Sequence, residues 1–242
     1  MYIYISIAVI VFLAILLTIV TSANQTVLNR FKKYNVIMAS AGITAQQLLW
    51  FYKQKYNMTK LKFSLTLGEL SDYYSPRKRL IALSKSTYNN TSVAALAVVS
   101  HEFGHAMQHK NHSFLYLMHR FVGFWSKVFG VLVIPATIAG LIMLLPFLYI
   151  EYIGVWVLVG AGSAVLLGLL GRLLTISIEY DASNRAKKIL SENKILTDYE
   201  LKYVDKVLGA AGFTYVASFI STILGITFIK RLVIRRSKTK QS

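Results

Sequence analysis

His101-Glu102-Phe103-Gly104-His105 lies inside Ser92–Gln108, a run with no proline and many good helix formers. The composition predicts a helix here, with Thr91 or Ser92 as its N-cap. Four residues along a helix is a rise of ~6 Å and a turn of ~40° beyond one revolution. His101 and His105 would then point the same way and could hold one metal ion between them. Glu102 falls ~100° round the helix, where it can reach a water on the metal rather than the metal itself. Two imidazoles and a carboxylate in the apolar stretch that begins Val93-Ala94-Ala95-Leu96 are costly to bury without partners. A zinc ion accounts for all three, and zinc-assisted hydrolysis with Glu102 as general base is the chemistry they fit.

Composition bounds what can surround that helix. The chain has 242 residues, is 55% hydrophobic with mean hydropathy +0.51, and contains no cysteine. Disulfides, thiolate zinc sites and a cysteine nucleophile are excluded, so the metal must be held by His, Asp or Glu. The net charge of +17 could suit nucleic acid. The basic residues, however, flank long apolar runs, which fits anionic lipid headgroups instead, and no nucleic-acid partner is expected.

Four apolar segments approach the ~20 residues that cross a bilayer. Tyr2–Val20 lacks a basic leader and reads as an uncleaved anchor, residues 1–20. Residues 128–171 read as a transmembrane hairpin, from Phe129 to Ile150 and from Ile153 to Leu170, the first arm bent by Pro135 and Pro146. Residues 213–229 form the weakest candidate, and 230–242 are a basic tail. Between these lie two polar segments, 21–127 and 172–212, which a hairpin would return to one membrane face. Fourteen of the 27 Lys and Arg residues fall in the first and seven in the second, which places both in the cytoplasm of a multi-pass cell-membrane protein. The six in the tail conflict with that orientation if all four segments cross.

Within 21–127, Thr44-Ala45-Gln46-Gln47 is a capping box that should start a helix running to about Tyr56. Leu61, Phe63, Leu65 and Leu67 alternate with polar residues as in a strand, and Arg79–Leu83 is a second short strand. The first could be an edge for an extended substrate or a structural hairpin over the His-bearing helix. Asp72–Pro76 reads as a loop. The fold class is a mainly α membrane protein: transmembrane helices with a small α+β zinc-peptidase domain packed at the membrane surface.

Catalytic zinc usually takes three protein ligands. A third histidine six residues after His105 is absent, since Gln108 and Asn111 stand where that pattern needs Gly and His. His109, His112 and His119 read as surface or interface residues. Among the carboxylates, Glu69 and Asp72 precede the motif, and Glu179 follows an apolar run at the membrane boundary, where an unpaired carboxylate is costly. Glu179 is the expected third ligand, as in the His2Glu set. Asp181 could orient a ligand histidine or pair with Arg185. Gly104 marks either close approach of another backbone beside the metal or simple helix packing.

Asp72-Tyr73-Tyr74-Ser75-Pro76-Arg77, Leu83-Ser84, the stretch from His101 to Gln108, and Glu179-Tyr180-Asp181-Ala182-Ser183 resemble the neutral zinc metallopeptidases of bacterial membranes, the YugP-like family. The resemblance covers nearly the whole chain. It implies a membrane zinc metalloprotease, a hydrolase with Zn2+ as cofactor, and the substrates expected are membrane-associated proteins or peptides. The chain is more distantly similar to gluzincin membrane endopeptidases, which carry Asp four residues after the ligand Glu, where this chain has Ser183. The rival reading is a non-catalytic membrane protein with a structural or sensory zinc.

Overall fold

The computed structural model describes residues 2–145 and 149–223; of the side chains between Tyr2 and Asn24 it describes those of Val11, Ala14, Ile15, Thr18, Ser22 and Ala23. Pro146, residues 224–229 of the fourth apolar segment and the basic tail therefore lie outside the described residues. The chain forms two compact units, Met1–Ser113 with Glu179–Ser242, and Phe114–Ile178.

The first unit opens with helix α1 (Tyr2–Asn35), which contains the expected anchor and continues past it. Helix α2 (Ala45–Lys55) starts at the predicted capping box. The Thr44 hydroxyl accepts from Gln47 N–H, and the Gln47 side chain accepts from Thr44 N–H. Strands β1 (Lys62–Thr66), β2 (Tyr73–Ser75) and β3 (Leu80–Ser84) form a sheet in the order β1-β3-β2. β1 runs parallel to β3 and β2 antiparallel to it. Central β3 is accordingly buried from Ile81 to Ser84. Along β1 the apolar alternation fades: Leu61 is buried, but Leu65 and Leu67 are exposed.

Where the sequence reads as a loop, Tyr73–Ser75 is a strand. Two tyrosines favour extended backbone. Asp72 fixes the pairing by accepting the Ser84 N–H at 2.8 Å across the end of β3. A four-residue helix, α3 (Lys85–Tyr88), leads to the His-bearing helix α4 (Val93–Lys110). Ser92 is its N-cap, accepting from Ala95 N–H at 3.1 Å and donating to Asn35 Oδ1 at 2.7 Å. A bridge between Met38 and Ser92 ties this end of α4 to the segment after α1.

Helix α7 (Glu151–Glu192) is continuous, so Glu179 stands on the same helix as the third apolar segment. Its last part, from Glu179, belongs to the first unit, with α8 (Asp198–Ile223). The core of this unit gathers Leu48, Leu49 and Tyr52 of α2, Leu96, Val99 and Phe103 of α4, Leu190 of α7 and Val204 of α8, all essentially inaccessible. Tyr52 stacks on Phe103 with ring centroids 4.7 Å apart, and its hydroxyl reaches Ser100 Oγ at 2.9 Å. Each such side chain contributes roughly 1.5–3 kcal/mol by burial. Together they fix α4 from behind, so its other face can hold polar groups in a defined place.

The second unit contains α5 (Phe114–Gly130), α6 (Val133–Met143) and the apolar part of α7. The second predicted span is thus not one straight helix starting at Phe129. α5 is helical from Phe114, and α5 and α6 meet at a 49° bend. Pro135 sits in the first turn of α6, where its missing N–H has no helical partner to lose. Gly140 and Gly154 let α6 and α7 approach closely: a Cβ on Gly154 would lie 2.9 Å from Gly140 O. Among the described residues one helix, α7, is long and apolar enough to cross a membrane, or two spans if bent α5–α6 counts as one.

Candidate metal centre

The metal centre is assembled on the exposed side of α4 by the start of the first unit's share of α7. Helix geometry sets His101 and His105 one turn apart, with ring centroids 4.7 Å from each other. Glu179 Oε2 lies 3.1 Å from His101 Nε2 and 3.3 Å from His105 Nε2. Two ligand atoms at ~2.0–2.1 Å from one zinc, at tetrahedral angles, are about 3.3 Å apart. Both separations from Glu179 match that value, the three ligand atoms all lie within 4.8 Å of one another, and His101, His105 and Glu179 could hold a metal ion.

Gly104 explains how α7 comes so near. A Cβ there would meet the carbonyl oxygen of Ala182 at 2.6 Å, so only glycine admits the α7 backbone. Close approach and helix packing are here the same contact.

The outer nitrogens of both histidines are occupied. His105 Nδ1 lies 3.0 Å from Gln108 Oε1, and Gln108 Nε2 donates to Asp181 Oδ2 at 2.8 Å. Arg185 Nε donates to the same Asp181 oxygen at 2.7 Å. Asp181 thus connects to His105 through Gln108 and pairs with Arg185. His101 Nδ1 meets Ser183 Oγ at 3.2 Å. With Nδ1 donating, each neutral imidazole would have its Nε2 lone pair free for a metal ion beside Glu179.

Glu102 is buried beside this group, and no hydrogen bond holds its carboxylate among the described residues. Burial raises its pKa, and the nearby charges of Glu179 and Asp72 add to that, while His101 and His105 pull the other way. For Glu179 burial also acts upward, but the hydrogen bonds and charges of the two histidines outweigh it and hold the carboxyl low. His105 shows the converse: burial lowers its pKa and the Glu179 carboxylate raises it by more.

The other candidates lie elsewhere. Glu69 is exposed. Asp72 accepts hydrogen bonds from Ser84 and Thr87, and burial leaves its pKa raised. His109 Nδ1 is 2.6 Å from the Tyr74 hydroxyl, His119 is paired with Thr175, and His112 is exposed.

Two participants escaped sequence reading. In the sequence Gln108 marks only the place where the three-histidine pattern needs Gly, yet its position three after His105 places it on the same helix face. Tyr215 of α8 donates its hydroxyl to Glu179. It lies in an apolar stretch that reads as membrane, and nothing local marks it.

A helix bearing two histidines, faced by a glutamate on a second helix, defines a metal-binding class of the kind zinc hydrolases use. Residues 8–235 match the family described as "Putative neutral zinc metallopeptidase", and the chain belongs to that family. It is 31% identical over 203 residues to "Putative membrane protease YugP" of Bacillus subtilis (strain 168), an alignment covering 83% of this chain and 85% of that protein. No solved structure matches the chain. Zinc is accordingly the cofactor of the family, and His101, His105 and Glu179 are a group that could bind it.

Proposed function

We propose that this chain is a membrane-anchored, gluzincin-type zinc metalloendopeptidase. His101, His105 and Glu179 are its zinc ligands and Glu102 its general base. The observation that supports this best is the convergence of Glu179 Oε2 on both Nε2 atoms at 3.1 and 3.3 Å. Bound there, zinc would polarise a peptide carbonyl and bring the pKa of water toward ~7. Glu102 accepts the proton of the attacking water on its carboxylate and returns it to the departing amine nitrogen. Burial raises its pKa, which favours its holding the proton between the two transfers. Gln108 and Ser183 keep the two imidazoles in register, and Tyr215 steadies the Glu179 carboxylate.

Substrates are proteins or peptides at or in the membrane, as the relative's name suggests for that protein. The multi-pass arrangement is supported by the apolar segments, and a cytoplasmic active site by the basic residues of 21–127 and 172–212. The catalytic domain is then divided between those two segments, with the hairpin 128–171 inserted between them.

A structural or sensory zinc would have no use for a buried, unbonded carboxylate beside the ligands. Glu102→Gln separates the readings. Zinc content and melting temperature should stay as in wild type while proteolysis stops, and proteins that accumulate in membranes of cells carrying Glu102→Gln are the substrates. A variant that cleaves those proteins at the wild-type rate would refute the mechanism.

A further inference from the structure

We propose that the first unit carries a second binding site, a cleft that takes a phosphate group, on the flank of α4 away from the metal ligands. The cleft measures about 330 Å³, at the small end for ligand sites. Lys60, Arg79 and Lys110 line it with permanent positive charge, and His109 and His112 add two imidazoles. No acidic residue is among those lining it.

Two of these side chains are held by hydrogen bonds, and Arg79 is held at its backbone. Lys110 Nζ donates to Tyr56 O at 2.6 Å, which pins the ammonium to the wall. His109 is fixed by the Tyr74 hydroxyl at 2.6 Å. Arg79 sits at a turn with φ 49°, and its carbonyl accepts from Lys62 N–H at 2.8 Å. Like charges converging on one cleft repel unless an anion lies between them. Phosphate offers three or more acceptor oxygens and up to two negative charges, which suits ammonium, guanidinium and imidazole donors together. Of the α4 residues of this wall, Ala106 and Lys110 lie about 120° and 160° round the helix from the midpoint of His101 and His105, and His109 about 60° and one turn further along; none of His101, His105 and Glu179 lines the cleft, so the site is separate from the metal centre. The phosphate could be that of an anionic phospholipid headgroup or free phosphate.

The test uses the full-length, zinc-loaded chain in neutral detergent, titrated calorimetrically with inorganic phosphate at ionic strength held constant with chloride. Saturable binding of one phosphate per chain is expected, weakened at least tenfold in Lys60→Gln/Arg79→Asn and, separately, in Lys110→Gln. Asn tolerates the positive φ at position 79, and Lys60 and Arg79 are exposed, so the double variant should keep its melting temperature and zinc. Competition then identifies the source. Displacement by glycerophosphoglycerol, a soluble phosphodiester headgroup, points to lipid, whereas displacement only by glycerol 3-phosphate and phosphate points to a free ligand. Absence of saturable binding, or binding unchanged in both variants, would overturn the proposal.

Discussion

At the scale of single residues, orientation of the imidazoles is the quantity most exposed to test. Gln108 is fully buried and links His105 Nδ1 to Asp181. Gln108→Leu keeps the volume but removes the acceptor, and partners of this kind are typically worth 10–100-fold in metal affinity. Competition against a fluorescent zinc chelator should show a loss of that size. An affinity equal to wild type would mean that His105 is held by packing alone. The two histidines were legible in the sequence because their i, i+4 spacing encodes one helix face, and Glu102 because it falls ~100° round from them, within reach of a water on the metal. Glu179 was legible as a carboxylate with no cheap reason to follow an apolar run. Gln108 and Tyr215 were not, since an amide or a tyrosine in a helix becomes meaningful only when another chain segment is placed against it. Asp181 was read in two ways, and the structure shows both contacts sharing one oxygen.

At the scale of elements, the contact between α4 and α7 sets the site. Gly104→Val would drive its side chain into the Ala182 carbonyl, which a Cβ already approaches to 2.6 Å, and backbone cannot step aside cheaply. Overpacking of this kind costs about 1–3 kcal/mol, and it would move Glu179 away from the histidines. Both a lower melting temperature and weaker zinc binding are expected; a variant altered in neither would show that α7 is free to shift. The start of α8 offers a separate test. Thr197 and Glu200 form a reciprocal cap, and Glu200 also accepts from Ser40 N–H at 2.7 Å and Ser40 Oγ at 2.8 Å. Burial opposes the charge, but these hydrogen bonds outweigh it and lower the Glu200 pKa. A lowered folded-state pKa gives stability that is present above the unfolded value of ~4.3 and lost as pH falls through the folded value. Glu200→Gln should therefore cost about 1 kcal/mol at neutral pH, and the difference from wild type should shrink on acidification in urea melts. A difference independent of pH would place the effect elsewhere. This T-x-x-E box has the spacing of the one at Thr44 but sits among lysines, which reads as a solvated surface; strand β2 has no local mark, since its pairing depends on Asp72 meeting Ser84 across the sheet.

At the scale of the whole molecule, the second unit and the α2 face of the first should meet different solvents. α5 exposes Phe114, Phe121, Phe124 and Phe129, and Trp156 of α7 is exposed as well. The three tryptophans of the chain give a direct reading. In vesicles of lipid brominated along the acyl chains, single-tryptophan variants retaining Trp125 or Trp156 should be strongly quenched, and the variant retaining Trp50 of α2 should not. Equal quenching of all three would remove the distinction. The helical class and the apolar runs were legible from hydropathy, but the bend between α5 and α6 and the unbroken length of α7 were not, because periodicity does not mark where a helix stops inside a uniformly apolar stretch. The central claim is that residues 74 positions apart in sequence close one metal site. Its most direct test is the zinc content of purified wild type, Glu179→Ala and Asp72→Asn, measured by mass spectrometry after dialysis. About one zinc per chain is predicted for wild type and for Asp72→Asn, with loss in Glu179→Ala. Full zinc in Glu179→Ala, or its loss in Asp72→Asn alone, would contradict the account.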